Sequence, residues 1–163
     1  MMGTDATSEA TMQVQELGHA VLYVRDLEKS RHFYGDILGF EQIGGGPPGM
    51  PAVAFNSASG RTHHELLLIE VGPTAAPIPA GRRVGLYHLG LKVGETDDEL
   101  RAARAELQAA GVTVVGASDH TVTHSLYIQD PDGNELELYI DVQPEVWRDD
   151  PSAVMAPVKA LRI

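Results

Sequence analysis

From Leu17 to Val24 the chain reads Leu-Gly-His-Ala-Val-Leu-Tyr-Val, apolar and rich in β-branched side chains, and Arg25-Asp26 ends the run. Such a stretch predicts a buried strand. Between Leu27 and Leu38 the period changes: Leu27, Phe33, Tyr34, Ile37 and Leu38 stand among charged residues, and Gly39 follows. That stripe predicts a helix with a glycine stop. A short strand over Phe40 to Ile43, a Gly/Pro loop over residues 44–49, a strand over Ala52 to Phe55, a turn over Asn56 to Gly60 and a strand over His64 to Val71 complete a βαβββ unit.

The order then repeats. Residues 72–85 carry Pro73, Pro77 and Pro79 among glycines and read as a linker, since proline cannot continue a strand ladder. Beyond them come a strand over Leu86 to Val93, a helix from Thr96 to Ala110 closed by Gly111, a strand over Val112 to Val115, a strand ending Leu126-Tyr127-Ile128, the turn Asp130-Pro131-Asp132-Gly133 and a last strand over Glu135 to Ile140. The expected architecture is α+β: two βαβββ modules, residues 17–71 and 86–141, forming a partly closed, mixed β-sheet around a metal site. Residues 1–16 read as a disordered leader and residues 142–163 as a tail whose acidic cluster is solvated.

Superposing the halves sets His19 on His88 in the first strands and Gly60 on Gly133 in the turns before the last strands. Four residues beyond those glycines stand His64 and Glu137, which strand alternation would aim at one cavity, with His63 and Glu65 turned away. His19, His88 and Glu137 are therefore the expected metal ligands. Two imidazoles and a carboxylate form the facial set suited to non-haem Fe(II), and Mn(II), Ni(II) or Zn(II) could occupy it. A chelating oxygen substrate would lose protons on such a cation, and His64, His120 and Tyr127 are the groups placed to handle them. The Asp130–Gly133 turn is read as structural, and His32 and His124 as surface or packing residues.

Composition narrows the chemistry further. With no cysteine, thiolate sites, disulfides and a cysteine nucleophile are all excluded. A formal net charge of -11, with 12 scattered Lys and Arg, argues against a nucleic-acid partner. The first residues lack the basic and apolar regions of a signal peptide, and no apolar run approaches the roughly 20 residues of a membrane span. A cytoplasmic location without membrane attachment is the expectation.

The segment from Gly18-His19-Ala20-Val21-Leu22-Tyr23-Val24 through Arg25-Asp26-Leu27, with Phe33-Tyr34 and Leu38-Gly39-Phe40, resembles the opening of the glyoxalase/bleomycin-resistance/dioxygenase (vicinal oxygen chelate) superfamily. The ending Tyr127-Ile128-Gln129-Asp130-Pro131-Asp132-Gly133-Asn134-Glu135-Leu136-Glu137-Leu138-Tyr139 resembles it too, and implies that Glu137 is the last carboxylate ligand. The finer likeness is to type I extradiol catechol dioxygenases, whose order of histidine, Leu-Tyr, Asp-Pro-x-Gly and glutamate is met by His120, Leu126-Tyr127, Asp130–Gly133 and Glu137. That likeness implies Fe(II), an aromatic diol and dioxygen as substrates, His64 as acid/base, His120 and Tyr127 steadying the bound oxygens, and a homodimer. Two other activities share the architecture: a lyase or epimerase stabilising an enediolate with a fourth protein ligand from His64 or Glu65, and a drug-binding resistance protein that needs no metal.

Overall fold

The computed structural model describes residues 12–163, so most of the expected leader lies outside the described residues. The first module runs β1 (Ala20–Val24), α1 (Leu27–Arg31), a π-helical turn (His32–Ile37), β2 (Glu41–Gly45), β3 (Ala52–Asn56) and β4 (Leu66–Glu70). The second runs β5 (His88–Gly94), α2 (Asp97–Ala109), β6 (Gly116–Asp119), β7 (Thr123–Gln129) and β8 (Glu135–Asp141). The sheets are ordered β1-β4-β3-β2 and β5-β8-β7-β6, each mixed, because β1 lies parallel to β4 and β5 to β8 while the other pairs are antiparallel. The repeat in the sequence is thus a repeat of the fold, and the two sheets do not close into a barrel.

Local chemistry explains the elements. Asp26 caps α1 by accepting from the Lys29 amide, and Thr96 and Glu99 form a reciprocal capping box at the start of α2. The helix expected over residues 27–38 is regular only to Arg31 and then widens by one residue per turn, which brings Phe33 and Tyr34 to the core. Gly39, at φ +77°, makes the left-handed exit that a side chain would disfavour. Each sheet buries one face: Leu66 and Leu68 of β4, and Leu136, Leu138 and Ile140 of β8, join Leu22, Val24, Phe55, Leu100 and Leu107 in one shared core.

Two expected details shift. The strand expected over residues 112–115 forms its ladder later, at Gly116–Asp119, although Val112 and Val114 still pack on the core while Thr113 and Val115 face out. Its apolar alternation is that of a strand, but the Val112 amide is spent on the Leu107 carbonyl at the end of α2 and sheet pairing begins only when the Val115 amide meets the Tyr127 carbonyl. The tail is structured: α3 (Pro144–Asp149) and a 3-10 turn (Pro151–Met155) lead to β9 (Lys159–Ala160), which extends the second sheet beside β6. Leu161 and Ile163 return to the core. No helix among the described residues is long and apolar enough to cross a membrane.

Candidate metal and catalytic site

The open face of the second sheet carries one connected row of polar side chains. β8 alternates, burying Leu136 and Leu138 and leaving Glu135, Glu137 and Tyr139 on the opposite face. Ladder register sets Tyr127 of β7 and Gly90 of β5 on either side of Glu137, with His88 opposite Glu135. Gly90 suits that row because it adds no side chain between the Tyr139 ring and the Glu137 carboxylate.

Glu137 is shared between its neighbours. Its Oε2 lies 3.0 Å from His88 Nε2, and its Oε1 accepts a 3.1 Å hydrogen bond from the Tyr127 hydroxyl. That hydroxyl also lies 2.8 Å from His120 Nε2. Burial, and then the Glu137 charge, push the Tyr127 phenol well above its ordinary range, so it stays protonated at neutral pH. No lysine or arginine bridges Glu137 among the described residues. On the far side, His88 Nδ1 and Glu135 Oε1 are both buried without a hydrogen-bond partner, 3.7 Å apart. A pair of carboxylates whose partners are imidazoles and a phenol, with donor atoms left over, fits a divalent cation.

The remaining candidates gather in the first module. Among the described residues one set of three or more metal-competent groups has its ligand atoms all within 4.8 Å of one another, and it is His19, His63 and His64. His19 therefore sits with the paired histidines and does not close a three-membered set with His88 and Glu137. Burial lowers the His64 pKa, helped by the charges of His19 and His63, which favours its neutral form.

The expected symmetry of His64 and Glu137 is corrected by register. Setting His19 on His88 sets Val21 on Gly90; Val21 pairs with Leu67, and Gly90 with Glu137. Leu67 thus holds the place in the first sheet that Glu137 holds in the second, and His64 lies in the bend before β4. Counting from the turn glycines failed because the two connections differ in length. Glu65, which was expected to face away, folds back on the preceding turn: its carboxylate accepts from the Ser57 amide at 2.7 Å and hydroxyl at 2.5 Å, and Arg61 Nε approaches to 3.4 Å. The Ser57 hydrogen bond, first among these contacts, holds its pKa below the ordinary range.

His32 pairs with Asp36 at the surface, and His124 with Asp97 at 2.6 Å, in keeping with packing roles. Two residues near the row escaped the sequence reading. Glu135 shares the face of Glu137, a placement already implied by their spacing of two. Tyr87 neighbours that carboxylate, and Glu135 raises its phenol pKa above the ordinary value.

A profile of the Glyoxalase/Bleomycin resistance protein/Dioxygenase superfamily matches residues 16–138. The chain belongs to that superfamily. Within it, the chain is 34% identical over 134 residues to a catechol-2,3-dioxygenase of Bacillus subtilis (strain 168), covering 82% of this chain and 44% of that protein. It is 32% identical over 127 residues to biphenyl-2,3-diol 1,2-dioxygenase 3 of Rhodococcus globerulus, covering 77% of this chain and 63% of the relative. The chain therefore spans about half of the length of these superfamily members. A crystal structure of lactoylglutathione lyase from Agrobacterium tumefaciens superposes with a TM-score of 0.59 at 25% identity, over 83% of this chain and 98% of that one.

Proposed function

We propose that the protein is an Fe(II)-dependent extradiol dioxygenase that cleaves the ring of a catechol-like aromatic diol. The observation that carries this reading is the chain of contacts from His120 Nε2 through the Tyr127 hydroxyl to Glu137 and on to His88, at 2.8, 3.1 and 3.0 Å. It sets two hydrogen-bonding groups beside the carboxylate that the extradiol likeness makes a ligand. The dioxygenase-named relatives support the same assignment.

In this reading His88, Glu137 and His19 hold the metal, with Mn(II), Ni(II) and Zn(II) as alternative occupants. A divalent cation there would acidify a chelating diol and leave positions for diol and dioxygen. The chain's own groups do the rest. Neutral His64 accepts a diol proton at the buried, unpartnered Nε2 and later returns it. Tyr127, kept protonated, turns its single O–H from Glu137 to a substrate oxygen, while His120 Nε2, 2.8 Å from the phenol oxygen, fixes its position. His19 must leave its neighbours His63 and His64 to join His88 and Glu137, so loading is expected to move its ring. A homodimer belongs to the same proposal and is checked by light scattering.

An enediolate lyase needs a fourth protein ligand, and two features weigh against it: Leu67 occupies the register position matching Glu137, and the Glu65 carboxylate is engaged by Ser57. The deciding experiment loads the protein with Fe(II) anaerobically, then adds air and a panel of catechols. Yellow ring-fission products that depend on iron and vanish in Glu137→Gln are expected. Iron-loaded protein that leaves a broad panel colourless overturns the proposal.

A further inference from the structure

We propose that His19, His63 and His64 form a second divalent-metal site, made only of imidazoles and suited to zinc-type ions, which shares His19 with the dioxygenase site. The rings of His19 and His64, and those of His63 and His64, have centroids 4.4 Å apart, and His19 and His63 are 5.5 Å apart. Their planes are tilted by 41° to 81°, so the rings do not stack. One nitrogen from each lies within 4.8 Å of the other two. A tetrahedral ion with bonds of about 2.0–2.1 Å needs ligand nitrogens about 3.4 Å apart, which side-chain rotation can supply.

Three facts point from the cluster to a cation. His64 Nε2 is buried and has no hydrogen-bond partner, an arrangement that normally wants explanation. No side-chain hydrogen bond to another protein group engages the His19 or His63 rings among the described residues, so their lone pairs are available. The nearby carboxylate of Glu65 is taken up by Ser57, Ser59 and Arg61, leaving imidazole as the donor type. Neutral imidazoles suit Zn(II), Ni(II) and Cu(II).

The backbone holds the three in place. The Ala20 amide bonds the Glu65 carbonyl at 2.9 Å, joining the residue after His19 to the residue after His64. Thr62 Oγ1 accepts from the His64 amide at 3.2 Å and donates to the His64 carbonyl at 2.5 Å. A neutral imidazole offers one lone pair, so occupancy here withdraws His19 from His88 and Glu137.

The test uses the full chain carrying His88→Ala and Glu137→Gln, which separates this site from the dioxygenase reading. Titration with Co(II), followed by visible absorption and displacement with Zn(II), is expected to show one bound equivalent. Adding His63→Gln, a change at an exposed ring, should weaken binding at least tenfold with an unchanged circular dichroism spectrum. Histidine-selective 15N spectra should show three rings shifting on Zn(II) addition. No binding in the double variant, or binding indifferent to His63→Gln, overturns the site.

Discussion

The Tyr34 hydroxyl donates a 2.9 Å hydrogen bond to the Asp130 carboxylate, 96 residues away, with both groups buried. Tyr34 comes from the first module's π-helical turn and Asp130 from the turn before β8. The same carboxylate accepts from the Asp132 and Asn134 amides, and its neighbour Asp132 binds the Arg25 backbone amide and guanidinium at 3.1 Å each. A segment that sequence reading treats as an ordinary tight turn is thus the joint between the modules, and it leads directly into the strand bearing Glu137.

Removing the hydroxyl should loosen that joint. Tyr34→Phe is expected to cost about 1.5–3 kcal/mol, the range for a hydrogen bond to a charged group, read from urea unfolding. Burial first, then the Asp130 charge, raise the Tyr34 pKa above its ordinary value of 10.0. Stability from this group is therefore whole below about pH 10 and falls as pH rises further, because the unfolded phenol ionises first. The alkaline decline should be shallower in Tyr34→Phe.

His64 carries the opposite sign. Its pKa is lowered from 6.5, so the folded chain favours the neutral ring and stability falls as pH drops through and below that value. If His64 is the proton acceptor, activity should show an acidic limb below pH 6.5 that His64→Gln abolishes along with most turnover. A limb that survives the substitution assigns the proton to another group.

Tyr127→Phe separates donation from metal binding. Turnover should fall by roughly 10²-fold or more, the scale of a lost acid/base contribution, while iron content per chain stays level. Equal losses of iron and turnover would show that the hydroxyl acts by holding Glu137 in place.

Glu137→Gln removes the carboxylate charge that lies between His88 and Tyr127 and leaves the Tyr127 hydroxyl only a neutral amide oxygen to donate to. Iron content after anaerobic loading should drop sharply, with the fold intact by thermal melting. His19→Ala should lower iron content as well; unchanged loading would remove His19 from the donor set.

Much of the molecule is legible in the residues. The alternation of Leu66 and Leu68, and of Leu136, Leu138 and Ile140, fixes which face of each sheet is buried, because strand side chains point to opposite sides in turn. The duplicated βαβββ order and the polar face bearing Glu137 follow from the same pattern, and the sequence of His120, Tyr127 and Glu137 marks the residues that meet on the second sheet. What only the tertiary structure decided are relations between strands and between modules: that Leu67 matches Glu137, that His19 keeps company with His63 and His64, and that Asp130 receives Tyr34. Periodicity reports the direction of a side chain along its own strand. Register and docking depend on pairing and packing with distant segments, and those partners are set by loop lengths and core shape, which no local pattern encodes.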